Sequence, residues 1–186
     1  MRNVKKLMIN SMKFLRRSSG MKINSSLSGL GPELIAKHII KELGLNIREP
    51  TDLYYVACRL NIVVRKKKIA KGILGACKVV GLKRLVIIDP EIVNIGRERF
   101  TLAHEIGHIV LRHGMRCCRK EDFFWDSKKT NIEHDANLFA AELLMPTDSL
   151  KDIAQQKDIT LDLIEEIASE RNVSKGTQGD GSFVLT

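Results

Sequence analysis

His104 and His108 stand four residues apart, separated by Glu105, Ile106 and Gly107. On a helix, residues at i and i+4 lie one above the other, so two imidazoles at this spacing can reach one Zn²⁺ at about 2.0–2.1 Å. Glu105 is turned off that face by about 100°, which lets it sit beside the metal without binding it and take a proton from an attacking water. The run from Phe100 to about His113 reads as a helix, apolar at Leu102, Ile106 and Val110, and Gly107 leaves room for a close approach. A hydrolytic zinc site needs a third protein ligand and an open fourth position. Downstream candidates are His113, Glu121, Asp122, Glu133, His134 and Asp135. His113 falls well away from the ligand face. Glu133 opens a second helical pattern, Ile132 to Met145, in which Glu133, Asn137, Ala140 and Leu144 form one stripe. Packed on the motif helix, that stripe brings the Glu133 carboxylate to the metal, with Asp135 as the reserve.

Two blocks carry a resemblance. They are Arg99-Phe100-Thr101-Leu102-Ala103-His104-Glu105-Ile106-Gly107-His108 and Glu133-His134-Asp135-Ala136-Asn137-Leu138-Phe139-Ala140-Ala141-Glu142-Leu143-Leu144-Met145-Pro146. Their composition, order and separation closely resemble the ImmA/IrrE family of zinc metallopeptidase-like proteins, and a looser likeness runs from about Leu34 to Val173. The resemblance implies a compact zincin-like α+β domain, one Zn²⁺ held by His104, His108 and Glu133, and Glu105 as the catalytic residue. It also implies a protein substrate, a helix-turn-helix repressor of a mobile element or stress regulon, cut within its DNA-binding region. The chain departs from many relatives at both ends: residues 1–30 are too short for a helix-turn-helix, and the Gly-containing run Lys175–Gly181 replaces a further helix. For the oxyanion or substrate contacts that peptide hydrolysis requires, His113, His134, Tyr54 and Tyr55 are the neutral candidates, and the sequence does not choose among them.

The elements that must position these groups are legible in outline. Pro32 opens an amphipathic helix with Leu34, Ile35, His38, Ile39 and Leu43 spaced at threes and fours, and a second follows Pro50-Thr51-Asp52 with Leu53, Val56, Ala57 and Leu60 inward. Ile62–Arg65, Ile73–Val80 and Arg84–Ile88 read as strands of a small antiparallel sheet, with a turn at Gly81 and a substrate-pairing edge near Arg84–Ile88. Residues 116–130 read as irregular apart from the aromatic cluster Phe123-Phe124-Trp125. Helices follow at Thr147–Gln156 and Thr160–Arg171.

Composition bounds the rest. The chain has 186 residues, 44% of them apolar, enough for one domain with a core. Its net charge of +9 suggests nucleic acid, but residues 1–30 hold seven basic residues and no acid, leaving 24 basic against 22 acidic in the body. The expected organisation is a basic arm (1–30), a metallopeptidase-like domain (31–174) and an irregular tail (175–186). Arg65–Lys68 reads as a solvated loop. The four cysteines, Cys58, Cys77, Cys117 and Cys118, lack a Cys-x-x-Cys spacing and read as free thiols of a cytoplasmic protein. No apolar run reaches the ~20 residues of a membrane span. Two readings of residues 1–26 stay open, an organellar transit peptide or an extension ahead of a start at Met21. The expected function is a zinc-dependent endopeptidase of narrow specificity, with no membrane and no direct DNA contact. The alternative is a non-catalytic zinc-fold module that binds a partner protein, or DNA through the arm.

Overall fold

The computed structural model describes residues 29–119, 131–173, 175–177 and 183–185. Most of the basic arm and the Phe123-Phe124-Trp125 run therefore lie outside the described residues. Helix α1 (Pro32–Glu42) starts on its proline and buries Ile35, Ala36, Ile39 and Ile40. Its inner face is turned slightly from the expected one, with Ala36 inward and Leu34 exposed. Helix α2 (Leu53–Arg59) is capped by Asp52, whose carboxylate accepts from the Tyr55 amide at 3.0 Å, and buries Leu53, Val56 and Ala57 as expected.

Three strands follow: β1 (Ile62–Lys66), β2 (Ile73–Val80) and β3 (Lys83–Ile88). A fourth, β4 (Arg116–Arg119), occupies part of the stretch read as irregular, and the sheet order is β1-β3-β2-β4. The sheet is mixed, which corrects the antiparallel expectation: β1 runs parallel to β3, with Ile62 opposite Arg84 and Lys66 opposite Ile88. Residues 67–72 carry the chain past the position of β3, so β2 forms on its far side. The β2–β3 hairpin, turning at Gly81 with φ +57°, then folds β3 back into the middle. The Arg84–Ile88 strand is therefore interior, and the edges are β1 and β4.

The motif helix α3 (Ile95–Val110) begins earlier than Phe100 because Asn94 caps it, its side chain accepting from the Arg97 amide at 2.8 Å. It lies between the sheet and α4 (Asn131–Leu144), and α1 packs on α4 from outside. Every residue of α3 from Phe100 to Val110 is buried. Each large apolar side chain buried there, such as Leu102 or Ile106, contributes about 1.5–3 kcal/mol, so the site-bearing helix is held by the core itself. Gly107 lets α3 and α4 approach closely, since a Cβ there would lie 3.0 Å from Phe139 Cδ1 and 3.4 Å from the Ala136 carbonyl. Thr51 ties the assembly together: its hydroxyl donates to the Leu143 carbonyl at 2.9 Å, and its own carbonyl accepts from Arg99 at 2.9 Å.

Helices α5 (Thr147–Ala154) and α6 (Leu161–Glu170) complete the helical part. The tail read as irregular instead contains a two-stranded antiparallel pair, β5 (Lys175–Thr177) with β6 (Phe183–Leu185); Thr, Phe and Val are residues that favour strands. Within the basic run, Lys66 pairs with Glu98 at 2.8 Å, and Lys68 pairs with Asp89 at 3.3 Å and with Glu91. Acidic neighbours thus occupy two of its four charges; all four side chains are exposed, but Arg65 and Lys66 end strand β1, so only Lys67 and Lys68 form the loop that was expected.

Candidate metal centre

Burial of α3 leaves His104 and His108 fully enclosed, one turn apart, with their Nε2 atoms 2.9 Å from each other. The first turn of α4 brings Glu133 across from them, and its Oε2 lies 3.2 Å from both Nε2 atoms. The stripe on α4 does a second task as well. Asn137, one turn after Glu133, places Oδ1 2.9 Å from His104 Nδ1. With Nε2 facing the cluster, His104 carries its proton on Nδ1 and donates it to that oxygen, which fixes the ring's tautomer and orientation. His113 does the same for the other ring, with its Nδ1 2.9 Å from His108 Nδ1. Burial, followed by the neighbouring His108, pushes His113 down to about 4, so it stays neutral and able to accept.

Electrostatics favour the deprotonated forms of His108 and Glu133. Burial lowers His108, although hydrogen bonding to Glu133 works in the other direction. Burial alone would raise the Glu133 carboxyl; the hydrogen bonds to His104 and His108 outweigh it and hold the group well below the usual carboxylate range. Arg116, on β4, is close enough for its charge to lower both His108 and His113.

Glu105 is completely buried on the sheet side of α3. It lies against β2 at Gly75, where a Cβ would come within 2.5 Å of Glu105 Oε1 and 2.8 Å of Thr101 Cγ2. Two thiols, Cys77 and Cys118, face it from β2 and β4. Burial raises both of them, and the Glu105 charge raises them further. Cys118 also joins the donor cluster: its Sγ is 3.4 Å from His108 Nε2, and the ligand atoms of His104, His108, Cys118 and Glu133 all lie within 4.8 Å of one another. Metal ligands at about 2.0–2.1 Å in a tetrahedron are separated by roughly 3.3 Å, so two imidazoles and a carboxylate at 2.9–3.2 Å fit a single ion.

The family model described as Peptidase_M78, the IrrE N-terminal-like domain, matches residues 57–178. The chain belongs to this family. The match spans α3, β4 and α4, hence every residue of the cluster, and makes this an IrrE-like, metallopeptidase-like domain. It begins at the end of α2, although α1, which precedes it, packs on α4. None of the curated proteins matches the chain.

Within this IrrE-like domain the sequence-derived candidates separate. His104, His108 and Glu133 converge. Asp135 lies near enough to His113 for its charge to act there, not at the cluster's centre. His113 stands behind His108 as an orienting group, and His134 is exposed on α4. Tyr54 is held at the start of α3, its hydroxyl 3.4 Å from Glu98 Oε1, and Tyr55 is exposed beside it on α2, so neither is brought to the cluster. Sequence reasoning missed the parts of Asn137, Gly75, Arg116 and Cys118. Asn137 was on the stripe already identified; the other three depend on the pairing of β2 with β4, which no local signal announced. Among the described residues, no helix is long and apolar enough to cross a membrane.

Proposed function

We propose that the chain is a zinc-dependent endopeptidase of narrow specificity that works in the cytoplasm on a protein substrate, a helix-turn-helix transcriptional repressor. The observation that carries the hydrolytic reading is the convergence of His104, His108 and Glu133 beside a buried Glu105. The repressor as substrate rests on the resemblance of the two sequence blocks to ImmA/IrrE proteins. His104, His108 and Glu133 would hold the zinc, while Asn137 and His113 keep the two rings turned toward it. Bound there, zinc supplies Lewis-acid polarisation of a carbonyl and activation of water near neutral pH. Glu105 accepts the proton of the attacking water and returns it to the departing amine. An extended substrate has an edge to pair with at β4, next to the cluster.

The test compares new protein N-termini in cells producing the chain with those in cells producing Glu105→Gln. The substituted protein should retain its zinc and lose the cleavages, with the wild-type cuts mapping to the DNA-binding part of a repressor. Identical cleavage by the two proteins would refute the assignment of Glu105. A second reading, a metal-holding module that regulates by binding a partner without hydrolysis, is favoured by the thiol of Cys118 at the cluster. It predicts regulation unchanged by Glu105→Gln.

A further inference from the structure

The register of β2 against β4 decides which cysteine reaches the donors. Ile73 opposes Arg119 and Gly75 opposes Cys118, so Leu74 is an extra residue and the strand bulges there. Beyond the bulge, Gly75 and Cys77 pair with Cys118 and Arg116, and these four positions share the face turned to α3. Cys118 is 1% exposed, whereas Cys117, next to it in sequence, is exposed on the other face. Cys77, on the same face, is farther along and donates to the Gly114 carbonyl at 3.9 Å instead. Cys118 is therefore the one thiol among the described residues whose sulfur joins the two imidazoles and the carboxylate.

Its distance has chemical meaning. A thiolate at about 2.3 Å and an imidazole at about 2.0–2.1 Å on one tetrahedral ion are separated by roughly 3.6 Å, and Cys118 Sγ is 3.4 Å from His108 Nε2. That separation matches one edge of such a tetrahedron, all four donor atoms lie within 4.8 Å of one another, and Glu105 adjoins the thiol from the side. A thiolate and the Glu133 carboxylate would together balance the charge of a divalent ion in a site whose imidazoles are fully buried.

We propose that Cys118 is a fourth ligand to the metal held by His104, His108 and Glu133, closing the position that a hydrolytic water requires. This rests on the reading of the cluster as a metal centre, and it makes the folded chain a latent peptidase, opened when the thiol is displaced.

The experiment uses the full chain loaded with cobalt(II). Wild type, Cys77→Ser and Cys117→Ser should each show the near-ultraviolet charge-transfer band of a cobalt–thiolate bond. Cys118→Ser should lose that band while binding cobalt in the same stoichiometry, and azide should perturb the visible cobalt bands of Cys118→Ala but not those of wild type. Zinc affinity of Cys118→Ala should fall at least about tenfold. X-ray absorption of the zinc-loaded wild type needs no variant and should show a sulfur neighbour at about 2.3 Å. Cobalt bands without the charge-transfer band, or zinc with only nitrogen and oxygen neighbours, would overturn the fourth ligand and leave the metal centre standing. Cobalt uptake that is absent, or unaffected by His104→Ala and His108→Ala, would overturn the metal centre itself, and the proposal with it.

Discussion

Gly75 of β2 and Glu105 of α3 share a space that admits only one of a methyl group and a carboxylate: a Cβ at position 75 would lie 2.5 Å from Glu105 Oε1 and 2.8 Å from Thr101 Cγ2. Gly75→Ala is therefore expected to displace Glu105, the flexible partner, and to press on Thr101, which is fixed by its hydroxyl donating to the Arg97 carbonyl at 2.8 Å. The expected result is a loss of about 1–3 kcal/mol of stability by urea unfolding, with zinc retained and cleavage lost. Adding Thr101→Ser removes the offending methyl. It should recover part of the stability and none of the cleavage, because the clash with Glu105 remains. Undiminished cleavage by Gly75→Ala would show that Glu105 acts from another position.

The two rings of the cluster are each oriented from behind. Asn137→Ala removes the oxygen 2.9 Å from His104 Nδ1, and His113→Ala removes the nitrogen 2.9 Å from His108 Nδ1. Each should weaken zinc binding by about 10–100-fold in a chelator competition, the range expected when a ligand's outer hydrogen bond is lost. Asn137→Asp keeps an acceptor at the same place and should stay within a few-fold of wild type. Equal affinities for wild type and Asn137→Ala would remove Asn137 from any orienting part.

Gly107→Ala sets two effects against each other. Alanine inside a helix is favoured over glycine by about 1 kcal/mol. Against that, the new Cβ would lie 3.0 Å from Phe139 Cδ1 and 3.4 Å from the Ala136 carbonyl, where α3 packs on α4. Overpacking of this kind costs about 1–3 kcal/mol, so the net expectation is modest destabilisation. Combining it with Phe139→Leu, which frees the ring's space, should give a coupling of at least about 0.5 kcal/mol in a double-mutant cycle. Additive effects would mean that α4 has moved away as a unit.

The site was more legible in the sequence than the sheet that supports it. His104, Glu105, His108 and Glu133 could be read because helical periodicity is local: a four-residue spacing fixes a shared face whatever surrounds the helix. The same logic placed Asn137 on the ligand stripe, although its contact with His104 needed the other helix in view. The order of β1, β3, β2 and β4 is not local. Close spacing of three strands suggests consecutive hairpins, yet the chain between β1 and β2 skips a place, which makes β1 parallel to β3 and puts Arg84–Ile88 inside. Arg116–Arg119 has two basic ends around two cysteines, too short and too polar for a strand signal, and so the alternation that sends Cys118 inward and Cys117 outward went unseen. Residues that reach the site from β2 and β4 were accordingly the ones missed.

Metal should contribute to the stability of this domain as well as to its chemistry. The cluster joins the middle of α3 to the start of α4, so an ion that binds only the folded chain stabilises it by about 2.7 kcal/mol at a free concentration 100 times its Kd. Chelator treatment should therefore lower the midpoint of thermal unfolding, and added zinc should restore it in a concentration-dependent way. His104→Ala and His108→Ala, measured with and without chelator, should show no such difference. A chelator-insensitive wild type would argue that the donors cluster without holding an ion.

Arg171 offers a test of how the last helices are attached. It is 3% exposed, and it reaches from the end of α6 to donate to Ser149 Oγ at 2.6 Å and to the Glu49 carbonyl at 3.2 Å. Burial lowers its pKa, but a guanidinium starts so high that the group stays charged, and both partners are neutral oxygens. Replacing it by methionine keeps much of the length and removes the donors, which leaves the Ser149 hydroxyl and the Glu49 carbonyl without this partner. Losing hydrogen bonds to a charged donor in a buried setting costs about 1.5–3 kcal/mol. If α6 is integral to the cooperative unit, Arg171→Met should lower the global unfolding free energy by that amount. Amide protection across α3 would then fall together with that of α6. If protection falls in α6 alone while the global value is unchanged, α6 opens independently of the metal-bearing core, and its anchoring through Arg171 is a local matter.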